Sequence, residues 1–286
     1  MKKNLLLMLS VAAIMLSSCG TTGTVPITGR KQHLLVSNDQ VLSSSLTQYN
    51  SYMKSAKEST NAANCAMVTR VGQRIANAVE TYLKANGYAE EVKDFAWEFH
   101  LVQDKNANAF CMPGGKIVVY EGLLPYTQNE ASLAIVLGHE VAHAVAKHSA
   151  ERMSKQYEAQ YGAQALSMIL GGASSSTQAI AQQVYGLGAN YGVMLPYSRK
   201  YETEADNMGL IFAAMAGYDP NVAVSFWQRM SQAGNNTPEF FSDHPSDASR
   251  IANIQKLLPT ALKYYKPAGV STTTKTVKFK KSSRKR

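Results

Sequence analysis

The sequence predicts an α+β fold, predominantly helical, with a small sheet set between helices. Three observations predict it. Apolar residues recur at helical spacing from about Cys65 to Ala85, where Val68, Val71, Ile75, Ala78, Val79 and Tyr82 share one face. Two short stretches, Trp97 to Val102 and Lys116 to Tyr120, carry the aromatic and β-branched residues of strands, with the turn signal Pro113-Gly114-Gly115 between them. Beyond position 127 the helical pattern returns and dominates to about position 258. The chain has 286 residues, 45% of them apolar, enough to bury a real core.

Before the domain comes a targeting segment. Lys2 and Lys3 form a positive start, and Leu5 to Leu16 form an apolar run of signal-peptide length, too short for a membrane span. It ends at Leu16-Ser17-Ser18-Cys19, which resembles the lipobox of bacterial lipoproteins, with Cys19 as the lipid acceptor. The plainer reading is a cleavable signal with a chance cysteine. Gly20 follows; the common sorting rule then implies the outer membrane, facing the periplasm. Residues 1–18 are thus read as signal peptide, 19–36 as a Thr-, Gly- and Pro-rich lipid tether, 37–260 as the folded domain and 261–286 as a basic tail with little to bury.

The helices of the domain have legible ends. Asn38 or Asp39 starts one that runs to about Ser55, and Asn86-Gly87 ends the helix over 65–85. Thr127 and Glu130 are spaced as a capping box for a helix through His139 and His143 to about Ser154. Residues 155–170 continue as helix, a Gly/Ser run over 171–176 interrupts, and 177–195 returns to a small-residue apolar pattern. Gly217 closes a helix from about Arg199 to Ala216. Asp219-Pro220 forms an Ncap–N1 pair for the next, and a last helix spans about Ser246 to Leu258.

The net charge of +9 suggests nucleic acid only until it is located. Two of the charges lie in the targeting segment and seven in the last twelve positions, so the body between is near neutral. A neutral body lacks the basic face that phosphate binding needs, and no nucleic-acid partner is expected. The tail either touches anionic lipid or envelope polymer, or is simply solvated. Cys65 and Cys111 remain beside Cys19; outside the cytoplasm they form a disulfide or stay as thiols, and spacing does not decide which.

The chemistry is concentrated in His139-Glu140-Val141-Ala142-His143. Histidines at i and i+4 share a helical face and can meet one cation, while the Glu between them points aside, toward a water. Val136, Leu137 and Val141 make this helix apolar and hence buried, where an unpartnered His pair is costly; a zinc ion supplies the partner. A catalytic zinc needs a third protein ligand. Glu202 is the candidate, with Asp206 one turn on to hydrogen-bond a ligand imidazole. Glu204, about 200° round the helix from Glu202, cannot easily share the role. His148, about 140° off the face of His143, is not counted as a ligand. His33 and His100 sit in no partner motif.

On these residues the chain resembles the gluzincin zinc endopeptidases related to HtpX and the CAAX prenyl endopeptidases, nearest to lipid-anchored members and the mitochondrial stress peptidase branch. The resemblance covers roughly residues 65–260. It rests on Asn108-Ala109-Phe110 with Pro113-Gly114-Gly115, on the His139–His143 pentapeptide, on Ser198-Arg199 with Glu202, Ala205 and Asp206, and on His244-Pro245 with Arg250. It implies a zincin-like peptidase domain holding one Zn²⁺ per chain on His139, His143 and Glu202, with Glu140 as general base. It implies that Asn108 and Ala109 form the edge strand along which substrate backbone pairs. It places His244 beside the metal, either donating to the oxyanion or capping the open position, and Arg250 either on a substrate carbonyl or bracing the loop.

The implied function is cleavage of misfolded or stalled cell-envelope polypeptides by an enzyme anchored through lipid on Cys19. Segment 157–195 is expected to act as a lid. The rival class is a chaperone-like binding lipoprotein with a latent zinc site. A purely structural zinc protein would leave Glu140 without a task. Spacing says nothing of the oligomeric state.

Overall fold

A computed structural model describes residues 20–169, 171, 174–175, 178–179, 195–232 and 250–267. The described elements in chain order are β1 (Thr21–Thr24), β2 (Lys31–Leu34), α1 (Asn38–Ser55), α2 (Ala62–Ala85), β3 (Glu98–Val102), β4 (Ala109–Met112), β5 (Lys116–Tyr120), α3 (Leu124–Thr127), α4 (Glu130–Val145), α5 (His148–Ile169), α6 (Leu195–Met215), α7 (Val222–Ser231) and α8 (Arg250–Ala261), with 3₁₀ turns at Ala89–Asp94 and Glu121–Leu123. The architecture is α+β and predominantly helical.

Helix α4 organises the core. It is buried along almost its whole length, mostly by apolar residues, and carries His139 and Glu140 within that buried stretch. Leu133, Ile135, Val136, Leu137 and Val141 are all buried. Each such side chain contributes roughly 1.5–3 kcal/mol on leaving water. Helices α2 and α6 pack against it, and the sheet closes another side. That sheet has the order β3-β5-β4, with β3 parallel and β4 antiparallel to the central β5. The register pairs Ala109 with Val119 and Cys111 with Ile117. β4 is therefore an edge strand, and it lies along α4.

Helices α4 and α6 cross at two glycines. A Cβ on Gly138 would stand 2.5 Å from the Gly209 carbonyl oxygen, closer than any real side chain tolerates. With no side chain at either position the backbones touch, and both metal half-sites face one another across the crossing.

Several sequence expectations are corrected. The stretch 19–36, read as a tether, is built into the fold from Gly20 onward. β1 and β2 form an antiparallel hairpin, Val25 is fully buried, and Arg30 in the connecting turn is ion-paired to Glu151 and Glu204. Its Thr, Gly and Pro residues serve a tight hairpin rather than a loose linker. The cap of α4 is Asn129, whose side chain accepts from Ser132 N–H at 2.8 Å; Thr127 ends α3 instead. Ser37, not Asn38 or Asp39, caps α1, with Gln40 completing a capping box. Helix α7 begins at Val222, because Asp219 accepts from Asn221 N–H and holds a turn ahead of it. The helix through His143 does not continue to 154. It stops at Val145, and Lys147, at φ 55°, turns the chain before α5 starts at His148.

Cys65 and Cys111 are free thiols; Cys65 packs on Ser59 O and Cys111 sits on β4. No described helix is long and apolar enough to cross a membrane. Cys19, His244, most of the expected lid beyond Ile169 and the tail from residue 268 lie outside the described residues.

Candidate metal centre

His139 and His143 stand one turn apart on α4 and face Glu202 on α6. The two Nε2 atoms are 3.1 Å apart. Glu202 lies across them, Oε2 at 3.2 Å from His139 Nε2 and Oε1 at 3.4 Å from His143 Nε2. A four-coordinate zinc with ligands at about 2.0–2.1 Å has neighbouring donors roughly 3.3 Å apart. The three contacts fall near that spacing, and two imidazoles with one carboxylate form a donor set that zinc accepts. Among the described residues these three form the one group of His, Cys, Asp or Glu side chains gathered tightly enough for a metal ion.

The electrostatics fit a cation. Burial disfavours a charged His139, yet the Asp206 and Glu202 carboxylates outweigh it and push the imidazole up to about 9. His143 goes the other way: burial holds it neutral, well below the ordinary histidine value, against the pull of Glu202. The carboxylates of Asp206 and Glu202 thus draw positive charge to this pocket, while burial favours a neutral His143.

Each ligand ring is fixed from behind. Asp206 Oδ1 lies 2.9 Å from His139 Nδ1, so that nitrogen donates and Nε2 is left for the metal. Burial alone would raise the Asp206 carboxyl; the charge of Arg250 and the bonds from His139 and Arg250 hold it low. Arg250 Nη2 donates to Asp206 Oδ1 at 2.7 Å, and its guanidinium lies over the Trp227 ring with Cζ 3.6 Å from the centroid. Arg250 is buried and engaged with Asp206.

Glu140 is buried on α4 between the two ligands. Its charge reaches the Cys111 thiol, which burial first and Glu140 second raise well above the ordinary value. The general-base candidate therefore neighbours the edge strand.

The strand itself refines the expectation for Asn108 and Ala109. The Asn108 carbonyl accepts from Tyr120 N–H at 3.0 Å, on the β5 side. Antiparallel alternation then turns the backbone of Ala109 and Cys111 to the open edge. Ala109 N–H is already held by Asn108 Oδ1 at 2.8 Å. The groups presented to a partner are thus the Ala109 carbonyl and the Cys111 N–H and carbonyl. A cleft beside His143 is lined by Val41, Leu42, Phe95, Pro113, Lys147 and Ala150.

Sequence reasoning set His148 and Glu204 aside, and both belong to the surroundings of the site. His148 Nδ1 lies 2.8 Å from His143 Nδ1, and its Nε2 lies 3.0 Å from Glu204 Oε2. The 140° offset holds only for an unbroken helix; the turn at Lys147 swings His148 back. The missed signal was the second histidine–carboxylate pair, in the same chain order as His139 and Asp206.

Comparison with known proteins agrees with this geometry. The family model described as peptidase family M48 matches residues 66–258. The mitochondrial metalloendopeptidase OMA1 of Schizosaccharomyces pombe is 42% identical over 173 residues, covering 59% of this chain and 49% of its own length. The human mitochondrial metalloendopeptidase OMA1 is 31% identical over 83% of this chain and 46% of its own. The beta-barrel assembly-enhancing protease of Yersinia pestis is 31% identical over 58% of this chain and 36% of its own. The chain spans half or less of the length of each of these relatives. The match of the family model over residues 66–258, a span that includes the His139–His143 and Glu202–Asp206 half-sites, means that the chain belongs to peptidase family M48.

Proposed function

We propose that this chain is a zinc-dependent endopeptidase, with zinc held by His139, His143 and Glu202 and with Glu140 as general base. The observation that carries the reading is the convergence of the two Nε2 atoms, 3.1 Å apart, with the Glu202 carboxylate, whose two oxygens lie 3.2 and 3.4 Å from them. When bound, zinc supplies Lewis-acid polarisation of the scissile carbonyl and acidifies water. Glu140 takes the proton of the attacking water and passes it to the leaving amine. Asp206, backed by Arg250, keeps the His139 Nδ1 proton in place and so keeps Nε2 as donor. The Ala109 carbonyl and the Cys111 backbone hold an extended substrate as an added strand, which recognises main chain more than side chain. His244 stays in the proposal as the residue beside the open position.

The substrates are polypeptides, with misfolded or stalled cell-envelope proteins as their source; the family resemblance supports that source. The place of action is the cell envelope, with the chain anchored by lipid on Cys19. Gly20 after the cysteine favours the outer membrane. The Cys19→Ser protein should leave the membrane fraction; retention there would remove the anchor from the proposal.

The decisive experiment is casein cleavage by the purified protein with and without chelator, beside Glu140→Gln. Cleavage that needs zinc and disappears in Glu140→Gln is expected. A Glu140→Gln protein that keeps full biological activity would instead support the binding-lipoprotein reading.

A further inference from the structure

His139 has its fixed partner in Asp206, but His143 is fixed by a longer chain that ends in the N-terminal hairpin. The Nε2 of His143 faces His139 and Glu202. Its Nδ1 meets His148 Nδ1 at 2.8 Å, so one of the two must donate. The far side of His148 decides which. Its Nε2 lies 3.0 Å from Glu204 Oε2, on a carboxylate that also accepts from Arg30 Nε at 2.8 Å and from Thr28 Oγ1 at 2.6 Å. A carboxylate paired with a guanidinium only accepts, so His148 Nε2 carries the proton. The bare Nδ1 of a neutral His148 then accepts from His143 Nδ1, and His143 Nε2 is left with its lone pair toward the metal.

The end of this chain is rigid. Arg30 spends its remaining fork on Glu151, at 2.9 and 2.8 Å, and its side chain, like those of Glu151 and Glu204, is mostly buried. Tyr201, the neighbour of Glu202, stacks on the His148 ring with centroids 4.5 Å apart, and Arg30 covers the Tyr201 ring. Thr28 and Arg30 lie in the turn between β1 and β2, tied by Val25 N–H to Arg30 O at 2.8 Å.

We propose that Arg30, acting through Glu204 and His148, is a positioning residue for the metal ligand His143, which makes the β1–β2 hairpin an integral part of the metal centre. This rests on the zinc reading above. It couples the metal to the segment that begins one residue after Cys19. By linkage the coupling runs both ways: docking of the hairpin tightens zinc, and zinc tightens the docking of the hairpin.

The test uses the purified full chain and competition with a fluorescent zinc chelator. Arg30→Met and Glu204→Gln should weaken zinc about 10–100-fold, the usual effect of losing an outer partner of a ligand. Arg30→Lys should recover part of the loss. Thr22→Ala, an exposed change in the same hairpin, should bind as wild type does. Hydrogen exchange of the wild-type Thr21–Leu34 amides, with and without zinc, gives an independent reading should the Arg30 or Glu204 variants not fold. Zinc should slow that exchange. Wild-type zinc binding with unchanged affinity in folded variants, or hairpin exchange indifferent to zinc, overturns the proposal while leaving the zinc site standing. Wild-type protein that takes up no zinc overturns the zinc reading itself, and this proposal with it.

Discussion

Gly209 on α6 stands directly over His139 on α4: a Cβ at Gly209 would lie 2.6 Å from the His139 backbone nitrogen. The close crossing brings Glu202 and Asp206, two turns and one turn earlier on α6, onto the Nε2 and Nδ1 atoms of His139. A Gly209→Ala variant must push the helices apart. Overpacking of this kind costs about 1–3 kcal/mol. Chemical denaturation should register that loss, and zinc affinity should fall with it. A variant as stable and as metal-loaded as wild type would mean that the crossing is not what sets the site.

Glu140→Gln keeps the shape of the site and removes the proton acceptor. General-base catalysis of this kind contributes on the order of 10²–10⁴-fold. Peptide turnover should drop by that factor or more with zinc content unchanged, measured on the same sample by metal analysis.

Cys111→Pro removes an N–H at the open edge of β4 and leaves the bonds to β5 in place, because proline is tolerated where the lost donor faces outward. It should cut kcat/KM for an extended peptide at least tenfold while zinc remains bound. Cys111→Ala, which keeps the N–H, should be near wild type. Equal loss in both variants would point to the thiol's packing rather than to backbone pairing.

Glu98 predicts an acid-sensitive contribution to stability. The hydrogen bond from Lys116, then that from Tyr49, lower its carboxyl from 4.5 to about 2. The folded value lies below the unfolded one. The contribution is therefore complete above about 4.5 and is lost as pH falls from there toward about 2. Urea midpoints across that window should fall less steeply in Glu98→Gln than in wild type. Parallel curves would remove Glu98 from the account.

Much of this was legible in the residues. The helical stripe Val68–Tyr82, the strand Lys116–Tyr120 and the His139–His143 pair are local patterns, and local patterns survive folding. Glu202 and Asp206 were legible because one turn separates them, which is again local geometry. What escaped depends on distant partners. Gly138 and Gly209 reveal their purpose only once two helices cross. Arg30 reads as a tether residue until Glu151 and Glu204 surround it. His148 was misplaced because one backbone dihedral, at Lys147, breaks the helix on which its angle was reckoned. The contacts of Arg250 with Trp227 and Asp206 likewise depend on distant partners.

The proposed chemistry depends on a single zinc ion held by His139, His143 and Glu202. The measurement that tests it most directly is an anomalous difference map at the zinc absorption edge from crystals of the zinc-loaded protein. One strong peak is expected within about 2.0–2.2 Å of His139 Nε2, His143 Nε2 and a Glu202 carboxylate oxygen. A peak elsewhere, or none between these side chains, would contradict it.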